Sequence, residues 1–312
     1  MDLLGSNLNK FCLGLSQFNN SLYKKKKFLE KDILKFIKYA IRKNIHIFDT
    51  ANNYGNTEVA LGKLSKEEKK KIIVSTKAGY ISDGNRNFTN KYLEIQIKNS
   101  LKRLKREKID IFFLNKPSLD EIKKNNLLEF MNKMKKKGLI SLGGIIVGNE
   151  KLPKYVYKDR SIDCFSFLYN IINIDHEKDL ILSKKYNKIN FVRSPFNNGL
   201  LTNNFKNSIS FSKDDYRYEF FSGENFNLKI DKIIYLKKKF MIKDNQLGDF
   251  AFNFINYNKH VDFCYFGATK KIQTKHLLNL YDNTRIIDKK KYLNIKNEIR
   301  YISKVIKTND EI

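Results

Sequence analysis

The chain has 312 residues, of which 41% are hydrophobic and 13% aromatic, enough to bury one large core or two smaller ones. Its formal net charge is +28, from 61 Lys and Arg residues against 33 Asp and Glu. No apolar run approaches the roughly 20 residues that span a membrane. The start of the chain has no basic segment followed by an apolar one, so we expect neither a membrane span nor a signal peptide.

The positive charge is spread over nearly every polar segment, with its densest runs at Lys24–Lys27 and Lys66–Lys71. A nucleic-acid-binding protein would gather its basic residues on one face, so we expect no nucleic-acid partner and keep that class as a distant alternative. The three cysteines, Cys12, Cys164 and Cys264, lie far apart in apolar runs. They indicate core residues in a reducing cytoplasm and not disulfides or a metal site.

Eight short apolar runs recur along the chain, and most are nearly continuously apolar, as in strands buried on both faces. In chain order they begin at Lys10, Ile45, Lys71, Asp110, Leu142, Asp163, Ile189 and Asp262. Between them, apolar residues recur at the spacing of one helix face. The faces are Ile33, Ile37, Ala40 and Ile41; Leu93, Ile97, Leu101 and Leu104, after a cap at Thr89 or Asn90; Leu127, Met131 and Met134; and Leu247, Phe250, Ala251, Phe254 and Ile255.

The repeated alternation of strand and helix, with three prolines and no Pro/Gly-rich linker, predicts one α/β domain over residues 1–312. Eight such units predict a single (β/α)8 TIM barrel. An open doubly wound sheet is the alternative, although no G-x-G-x-x-G follows the first strand. Two segments lie outside the repeat, and we expect both to cover or flank the barrel mouth. They are the polar, aromatic Thr202–Lys229 and Asp288–Ile312, which predicts an extra C-terminal helix.

Candidate functional residues lie where the strands end, because barrel chemistry gathers at the C-terminal ends of the strands. Side chains alternate along a strand, so every second residue shares a face. The predicted inward faces are Ile45, Ile47 and Asp49; Ile73, Ser75 and Lys77; and Ile111, Phe113 and Asn115. This alternation places Asp49, Lys77 and Asn115 at one rim, and Tyr54 reaches the same rim from the loop after the second strand.

These residue types form a sensible set for proton transfer. A phenol with a pKa near 10 is a poor acid at neutral pH, and a nearby ammonium lowers that pKa. A carboxylate at Asp49 would hold Lys77 in place, and Lys77 would tune Tyr54. Tyr54 could then donate a proton to a carbonyl oxygen while hydride arrives at the carbon.

The same residues carry a resemblance to the aldo-keto reductases. Asp49–Gly62 is similar to the family signature D-T-A-x-x-Y-G-x-x-E-x-x-L-G, and "VSTKAG" (Val74–Gly79) resembles its catalytic-lysine strand. "SLKRLKREKIDIFFLNKPS", "IIVGN" and "VRSPFNNGLLT" resemble later family segments, the last as in a bacterial branch. The resemblance implies a barrel that binds NADP(H) across its mouth and reversibly reduces a small-molecule carbonyl to an alcohol. Asp49, Tyr54 and Lys77 match three of the four catalytic positions.

The resemblance also implies cofactor-binding positions at the ends of strands five to eight. They are Asn149, Ser166, Arg193, Ser194, Gly199, Leu200, Gly267, Thr269, Lys270, Lys271 and Gln273. Lys270 and Lys271 lie near the place where the family holds the adenosine 2′-phosphate. This favours NADP(H), with NAD(H) as the alternative.

Asn115 departs from the family, which has histidine at the fourth catalytic position. An amide can donate a hydrogen bond, but it cannot become charged or shuttle a proton. None of the four histidines replaces it in the sequence pattern. The sequence therefore predicts an active NAD(P)H-dependent oxidoreductase, with reduced activity as one consequence of Asn115. A cofactor-binding but catalytically weak barrel, acting as a sensor or subunit, is the alternative.

Overall fold

The structure is a computed structural model that describes residues 10–19, 28–81, 85–204, 211, 213, 215, 217–282 and 289–307. The basic run Lys24–Lys27, parts of the segment Thr202–Lys229 and both ends of Asp288–Ile312 lie outside the described residues.

Eight strands close into a parallel barrel in chain order, with β8 paired to β1. The strands are Phe11–Gly14 (β1), Ile47–Asp49 (β2), Ile73–Ala78 (β3), Ile109–Asn115 (β4), Ile140–Ile146 (β5), Cys164–Leu168 (β6), Ile189–Arg193 (β7) and Phe263–Gly267 (β8). Each overlaps one of the eight predicted runs. The predicted TIM barrel is therefore confirmed, and the open-sheet alternative is wrong because the β8–β1 pairing leaves the sheet without edges.

Helices surround the barrel. Within the described residues they are Glu30–Arg42 (α1), Thr57–Gly62 (α2), Lys66–Lys70 (α3), Asn90–Leu104 (α4), Leu119–Lys124 (α5), Leu127–Lys136 (α6), Lys154–Lys158 (α7), Glu177–Lys185 (α8), Arg217–Phe220 (α9), Gly223–Phe240 (α10), Leu247–Tyr257 (α11), Lys271–Asp282 (α12) and Lys289–Val305 (α13). The predicted cap at Thr89 is confirmed, since its hydroxyl accepts from the Tyr92 N–H. No helix in these ranges is long and apolar enough to cross a membrane.

Two layers of apolar side chains build the core. The barrel interior is filled by Cys12, Ile47, Ile111, Phe113, Ile146, Cys164, Phe191 and Phe263. A larger layer between strands and helices contains the apolar helix faces, including Ile33, Leu93, Met131 and Phe254. The predicted inward direction of Ile47, Ile111 and Phe113 is correct. Ile45 belongs to the outer layer because it precedes β2.

The three cysteines are buried and unpaired, as predicted. The C-terminal helix α13 packs its buried residues, among them Tyr292 and Ile299, against the outer side of the barrel. It does not border the mouth within the described residues. From the segment after β7, Thr202, Asp215 and Arg217 do line the cavity at the mouth.

Candidate active site

A cavity of about 810 Å³ lies at the C-terminal ends of the strands. Its wall takes one residue or more from each of the eight strands, from Gly14 on β1 to Gly267 on β8. All four residues predicted to be catalytic, Asp49, Tyr54, Lys77 and Asn115, line this one cavity. A second cavity of about 980 Å³ lies on the outer side among α5, α6 and α7 and contains none of them.

Asp49 and Lys77 form a buried ion pair at the cavity floor. Lys77 Nζ donates to Asp49 Oδ2 at 2.6 Å and to the Thr50 carbonyl oxygen at 2.8 Å. The other carboxylate oxygen, Asp49 Oδ1, accepts from Ser75 Oγ at 2.9 Å. The register explains the contacts, because Asp49 and Ser75 are directly opposed on β2 and β3. The lysine is thus fixed by a carboxylate and a carbonyl, and its charge points toward the cavity.

Tyr54 lies beside this pair, with its ring centroid 4.8 Å from Lys77 Nζ. The loop that carries it is tied down by hydroxyls: Thr57 Oγ1 donates to the Tyr54 carbonyl at 3.0 Å and lies 2.6 Å from Thr50 Oγ1. Gly55 follows with φ +59°, a left-handed conformation that glycine adopts readily. The loop therefore presents the phenol to the cavity in a defined position.

The pKa values of the two groups reflect burial and mutual charge. Burial raises the pKa of the Tyr54 phenol above its ordinary value, and the negative charge of Asp49 adds to this. The positive charges of Lys77 and Arg193 act in the opposite direction. Lys77 thus lowers the pKa of Tyr54 as predicted, but the effect of burial is larger and the pKa is raised overall. Burial alone would lower the pKa of Lys77, whereas Asp49 and Tyr54 raise it overall, so the lysine stays charged at neutral pH.

Two further signature residues, Glu58 and Gly62, hold α2 in place. Glu58 is buried, and its carboxylate accepts from Thr76 Oγ1 at 2.7 Å and from Arg103 Nε at 2.6 Å. A Cβ on Gly62 would lie 2.1 Å from the Arg103 carbonyl oxygen, so only glycine allows this close approach of α2 to α4. These two residues serve the fold, while Asp49 and Tyr54 face the cavity.

Asn115 is the last residue of β4 and is partly buried at the cavity wall. Its side chain makes no hydrogen bond to any residue that the structure describes. None of the four histidines, all in described positions, lines the cavity. His46, for example, contacts the Lys71 carbonyl at the outer surface. The described wall therefore has the Asn115 amide at this position and no imidazole.

The predicted cofactor positions divide into two groups. Those on the cavity wall are Ser166, Arg193, Ser194, Gly199, Gly267, Thr269, Lys270 and Gln273. The described cavity wall does not include Asn149, Leu200 or Lys271. Asn149 is exposed, Leu200 is fully buried among apolar residues, and Lys271 Nζ lies over the Tyr39 ring at 5.4 Å. Lys270 is consequently the one of the two adjacent lysines that borders the cavity.

Two backbone turns on the wall could receive phosphate groups. The turn after β7 has positive φ at Ser194, Asn197, Asn198 and Gly199, which exposes consecutive backbone groups. The turn after β8 is fixed by Gln273, whose Oε1 accepts from the backbone N–H groups of Thr269 and Lys270, each at 3.0 Å. No cluster of His, Cys, Asp or Glu suited to a metal ion occurs among the described residues.

Sequence reasoning missed several wall residues, among them Gln17, Asn53, Tyr80 and Tyr265. Strand alternation contained a signal for Tyr265, because it shares the inward face of β8 with Gly267. Gln17 lies in the short 3-10 helix Ser16–Phe18, and Asn53 and Tyr80 lie outside the regular strands and helices, so no periodicity indicates the direction of these side chains.

The fold and the site together describe a (β/α)8-barrel protein with an Asp–Lys ion pair and a phenol at the C-terminal ends of its strands. The family model for the aldo/keto reductase family matches residues 10–296, and the chain therefore belongs to this family.

Two curated proteins give partial sequence matches. Aldo-keto reductase str7 of Strobilurus tenacellus is 27% identical over 202 residues, which is 61% of this chain and 59% of the relative. The uncharacterized oxidoreductase YqkF of Bacillus subtilis is 27% identical over 176 residues, 54% of this chain and 57% of the relative. The matches thus cover less than two thirds of these relatives.

Solved structures match over nearly the whole chain. Aldo-keto reductase AKR11C1 from Bacillus halodurans, in a holo form, superposes with a TM-score of 0.72 at 20% identity, covering 95% of this chain and 92% of that one. Glycerol dehydrogenase AKR11B4 from Gluconobacter oxydans superposes with a TM-score of 0.74 at 20% identity, covering 97% of this chain and 93% of that one. At this identity the likeness supports the fold.

Proposed function

We propose that this chain is an NADP(H)-dependent oxidoreductase that reduces an aldehyde, ketone or sugar-like carbonyl to an alcohol. The observation that carries the proposal is the hydrogen-bonded Asp49–Lys77 pair, whose ammonium lies 4.8 Å from the Tyr54 ring inside a large cavity. The family membership supports the reaction class.

Tyr54 is the proposed proton donor. Bound nicotinamide would supply hydride to the carbonyl carbon. Tyr54 Oη would give its proton to the carbonyl oxygen, so that a phenolate remains and an alcohol forms. Lys77 would stabilise that phenolate, because its charge lies beside the ring. Asp49 and the Thr50 carbonyl would keep the ammonium in this position throughout the cycle.

Most of the positions predicted to bind the cofactor lie on the cavity wall. We propose that Ser166 and Asn149 serve the nicotinamide end, and that Arg193, Ser194, Gly199 and Leu200 form the pyrophosphate turn. Ser166 Oγ is fully buried on the wall with no hydrogen-bond partner in the described structure, which suits a carboxamide. Gly267, Thr269, Lys270 and Gln273, which line the cavity, would hold the adenosine end, and the charge of Lys270 would favour NADP(H) over NAD(H). Lys271, which was also predicted to bind the cofactor, lies over the Tyr39 ring and has no part in this proposal.

Asn115 supports a second candidate function. General acid–base assistance is worth about 10²–10⁴-fold in rate, and an amide cannot supply the charged form. A cofactor-binding protein of weak activity, acting as a sensor or subunit, would retain the cavity and tolerate this change. The complete Asp49–Lys77–Tyr54 set favours the enzyme. We further propose a cytoplasmic setting, with which the three unpaired thiols agree.

The test begins with titration of the purified protein with NADPH and then NADH, followed by nicotinamide fluorescence, and continues with a carbonyl panel. We expect saturable binding, tighter for NADPH, and reduction that Tyr54→Phe abolishes while cofactor affinity stays nearly unchanged. Tyr235→Phe, which alters a phenol paired with Glu298 on the outer surface, is the control and should be unaffected. Undiminished turnover in Tyr54→Phe would overturn the assignment of Tyr54 as the proton donor. If neither NADPH nor NADH binds the folded protein, the proposed oxidoreductase function is wrong.

A further inference from the structure

One half of the cavity wall takes no part in the proposed cofactor site, whose positions all come from the ends of β5 to β8. Besides Tyr54, the side chains of the other half include Asn53, Tyr80, Asn115 and Lys116, which follow β2, β3 and β4 or end them. We call this half of the wall the substrate side. A carbonyl compound that is reduced in the cavity would lie against it.

The loop between β3 and α4 carries Tyr80 to the substrate side and is anchored at its base. The Asn87 N–H donates to the Gly79 carbonyl oxygen at 2.9 Å. Gly79 has φ +123°, and a Cβ at this position would lie 2.3 Å from Cε1 of the buried Phe88 ring. Glycine is therefore required where the loop leaves β3. Beyond the base, an antiparallel bridge pairs Tyr80 with Arg86.

Arg86 joins this loop to the end of β4. Its Nη2 donates to Tyr80 Oη at 3.1 Å, and its Nη1 donates to the Lys116 carbonyl oxygen, also at 3.1 Å. The Cζ atom of the guanidinium lies 5.1 Å from the centroid of the Tyr80 ring. No carboxylate among the described residues pairs with Arg86. Its planar fork of donors thus connects two residues of the substrate side that belong to different elements.

Lys116, the residue directly after Asn115, has a left-handed backbone with φ +58°. This conformation is unfavourable for a residue other than glycine and persists only where neighbouring contacts hold it. The Lys116 N–H donates to the Ile146 carbonyl oxygen on β5 at 3.1 Å, and the Lys116 carbonyl oxygen accepts from Arg86. The turn held by these two contacts sets the direction in which β4 ends, and with it the place of the Asn115 amide on the wall.

We propose that Arg86 is a positioning residue for the carbonyl substrate, because its two hydrogen bonds fix Tyr80 and the turn after Asn115 on the substrate side. This inference rests on the proposed function, since it concerns how the compound to be reduced is held. Tyr80 Oη accepts from Arg86, and its own proton goes to no residue that the structure describes. That proton can therefore be donated to an oxygen of the substrate.

The expected consequence concerns the substrate and not the cofactor. Arg86 is exposed and does not line the cavity, so its effect is exerted through the residues that it holds. The Asp49–Lys77 pair is held separately, by Ser75 and by the Thr50 carbonyl oxygen. Loss of Arg86 should accordingly weaken binding of the carbonyl compound and leave the affinity for NADPH unchanged.

The first experiment replaces Arg86 and measures KM, kcat and cofactor affinity. We expect Arg86→Met to raise KM for the best carbonyl of the panel about fivefold, the scale of one hydrogen bond, and to change kcat by less than about twofold. The dissociation constant of NADPH should not change. Arg86→Lys keeps the charge but lacks the planar fork, so it should resemble Arg86→Met. An unchanged KM in Arg86→Met, or a normal KM in Arg86→Lys, would contradict the proposal.

Tyr80→Phe tests the contact between the two residues, because it keeps the ring and removes the acceptor. KM should rise in this variant as well. Arg86→Met and Tyr80→Phe remove the same hydrogen bond, so their combination should raise KM by less than the product of the two single effects. A full product would mean that the two residues act independently, and the proposed role of Arg86 would be wrong.

Hydrogen exchange gives a second readout that needs neither cofactor nor activity. The amides to follow are those of Ile81, Asn87 and Lys116, each of which donates to a described carbonyl oxygen. In Arg86→Met we expect them to exchange at least about threefold faster, because their segments open more often, while amides of α10 keep their rates. If the unaltered protein reduces no carbonyl, the proposed function fails, and these rates still decide whether Arg86 holds the substrate side.

Arg42→Met is the matched control, since it removes the same charge from an exposed position at the end of α1, away from the cavity wall. It should alter neither KM nor the exchange of the three amides. Unchanged exchange of all three in a folded Arg86→Met protein would overturn the inference. Equally fast exchange throughout the protein would do the same, because it would show a loss of overall stability and no positioning role.

Discussion

The side chain at the end of β4, Asn115, borders the same cavity as Tyr54 and Lys77. Its amide can orient a carbonyl oxygen by donating a hydrogen bond, but it contributes no charge at any pH. The positive charge next to Tyr54 therefore comes from Lys77, with Arg193 adding at longer range. In the proposed reaction, proton transfer would therefore depend on those two cations more than it would in a site with a protonated imidazole.

Replacing Asn115 by histidine is expected to raise turnover, because an imidazole can be charged near neutral pH and can assist proton transfer. We expect an increase of at least about tenfold in kcat, the lower part of the range for such assistance. Asn115→Leu, which removes the hydrogen-bonding amide at similar size, should lower turnover. Both are measured with the best carbonyl of the panel at saturating NADPH. Unchanged or lost activity in Asn115→His would mean that the amide is adapted to its own substrate.

Side-chain direction in the strands was the part of the site that sequence could predict. Period-two alternation brings Asp49, Lys77 and Asn115 to one cavity, and the structure agrees for all three. It could not predict that Ser75 bonds Asp49, because that contact depends on the register between β2 and β3. Nor could it predict that burial would outweigh Lys77 in setting the pKa of Tyr54.

At the scale of elements, the turn between β8 and α12 directs the side chains of two adjacent lysines to different places. Lys270 lies on the cavity wall beside the backbone that Gln273 holds, whereas Lys271 points to Tyr39 on α1. Both were predicted to bind the 2′-phosphate, and the turn orients them differently. Lys271 is the first residue of α12, whereas Lys270 lies in the turn before it, so the backbone directs the two side chains differently.

Lys270→Met is accordingly expected to weaken NADPH binding about tenfold while NADH binding stays nearly unchanged, because only NADPH carries the extra phosphate. Lys271→Met is the matched control, with the same charge lost one residue away, and should leave the ratio of the two affinities unaltered. Nicotinamide fluorescence titrations at fixed ionic strength measure both dissociation constants. If each variant lost the same affinity for NADPH as for NADH, the lysines would act through general charge and the specific role of Lys270 would be wrong.

The C-terminal helix α13 is attached to α8 by charge. Glu177, buried at the start of α8, pairs with Lys296 and with Arg300, whose Nη2 lies 2.6 Å from Glu177 Oε2. Glu177→Gln removes the counter-charge of Lys296, which is largely buried, and of Arg300, which is about half exposed, so we expect a loss of about 1–2 kcal/mol in unfolding free energy. Chemical denaturation measures it. Glu67→Gln, which alters an exposed pair with Lys70, should change stability by less than about 1 kcal/mol. Equal effects would contradict this anchoring role.

Element prediction succeeded where a periodic pattern was strong and failed where polar residues hid it. All eight strands were found because buried parallel strands are nearly continuously apolar. Helix α10 begins at Gly223, inside the segment Thr202–Lys229 that was set outside the repeat. Its first turn, "GENF", has glycine and two polar residues before Phe226, so the sequence gives little sign of a helix there. The helix is fixed by tertiary contacts of Phe226, Ile230 and Ile233.

At the scale of the whole molecule, barrel closure decides which residues meet. The count of eight strand–helix units favoured a barrel, but the pairing of Cys12 on β1 with Tyr265 on β8 is what brings the first and last strands together. Tyr265 and Asp49 come from opposite ends of the sequence and share one layer only because the sheet closes with this register. A local pattern carries no information about that shift, so the sequence could not predict that Tyr265 and Asp49 share a layer.

The net charge of +28 is also a property of the whole molecule. Several described ion pairs have at least one exposed partner, such as Lys70–Glu67 and Lys98–Glu94, and pairs of that kind contribute little each. Basic residues outnumber acidic ones by nearly two to one, so repulsion among like charges dominates the electrostatics of the folded state. Salt should therefore stabilise this protein by screening.

We expect the Tm to rise by several degrees when sodium chloride is increased from about 10 mM to about 150 mM, because the Debye length falls from about 30 Å to about 8 Å. Lys35→Glu with Lys275→Glu, both exposed in mid-helix positions, lowers the net charge by four without touching the cavity wall. This double variant should have a higher Tm at low salt and a smaller salt response. Differential scanning calorimetry measures both proteins. A Tm that falls with salt would mean that the ion pairs outweigh the repulsion, and an unchanged Tm would mean that the two balance.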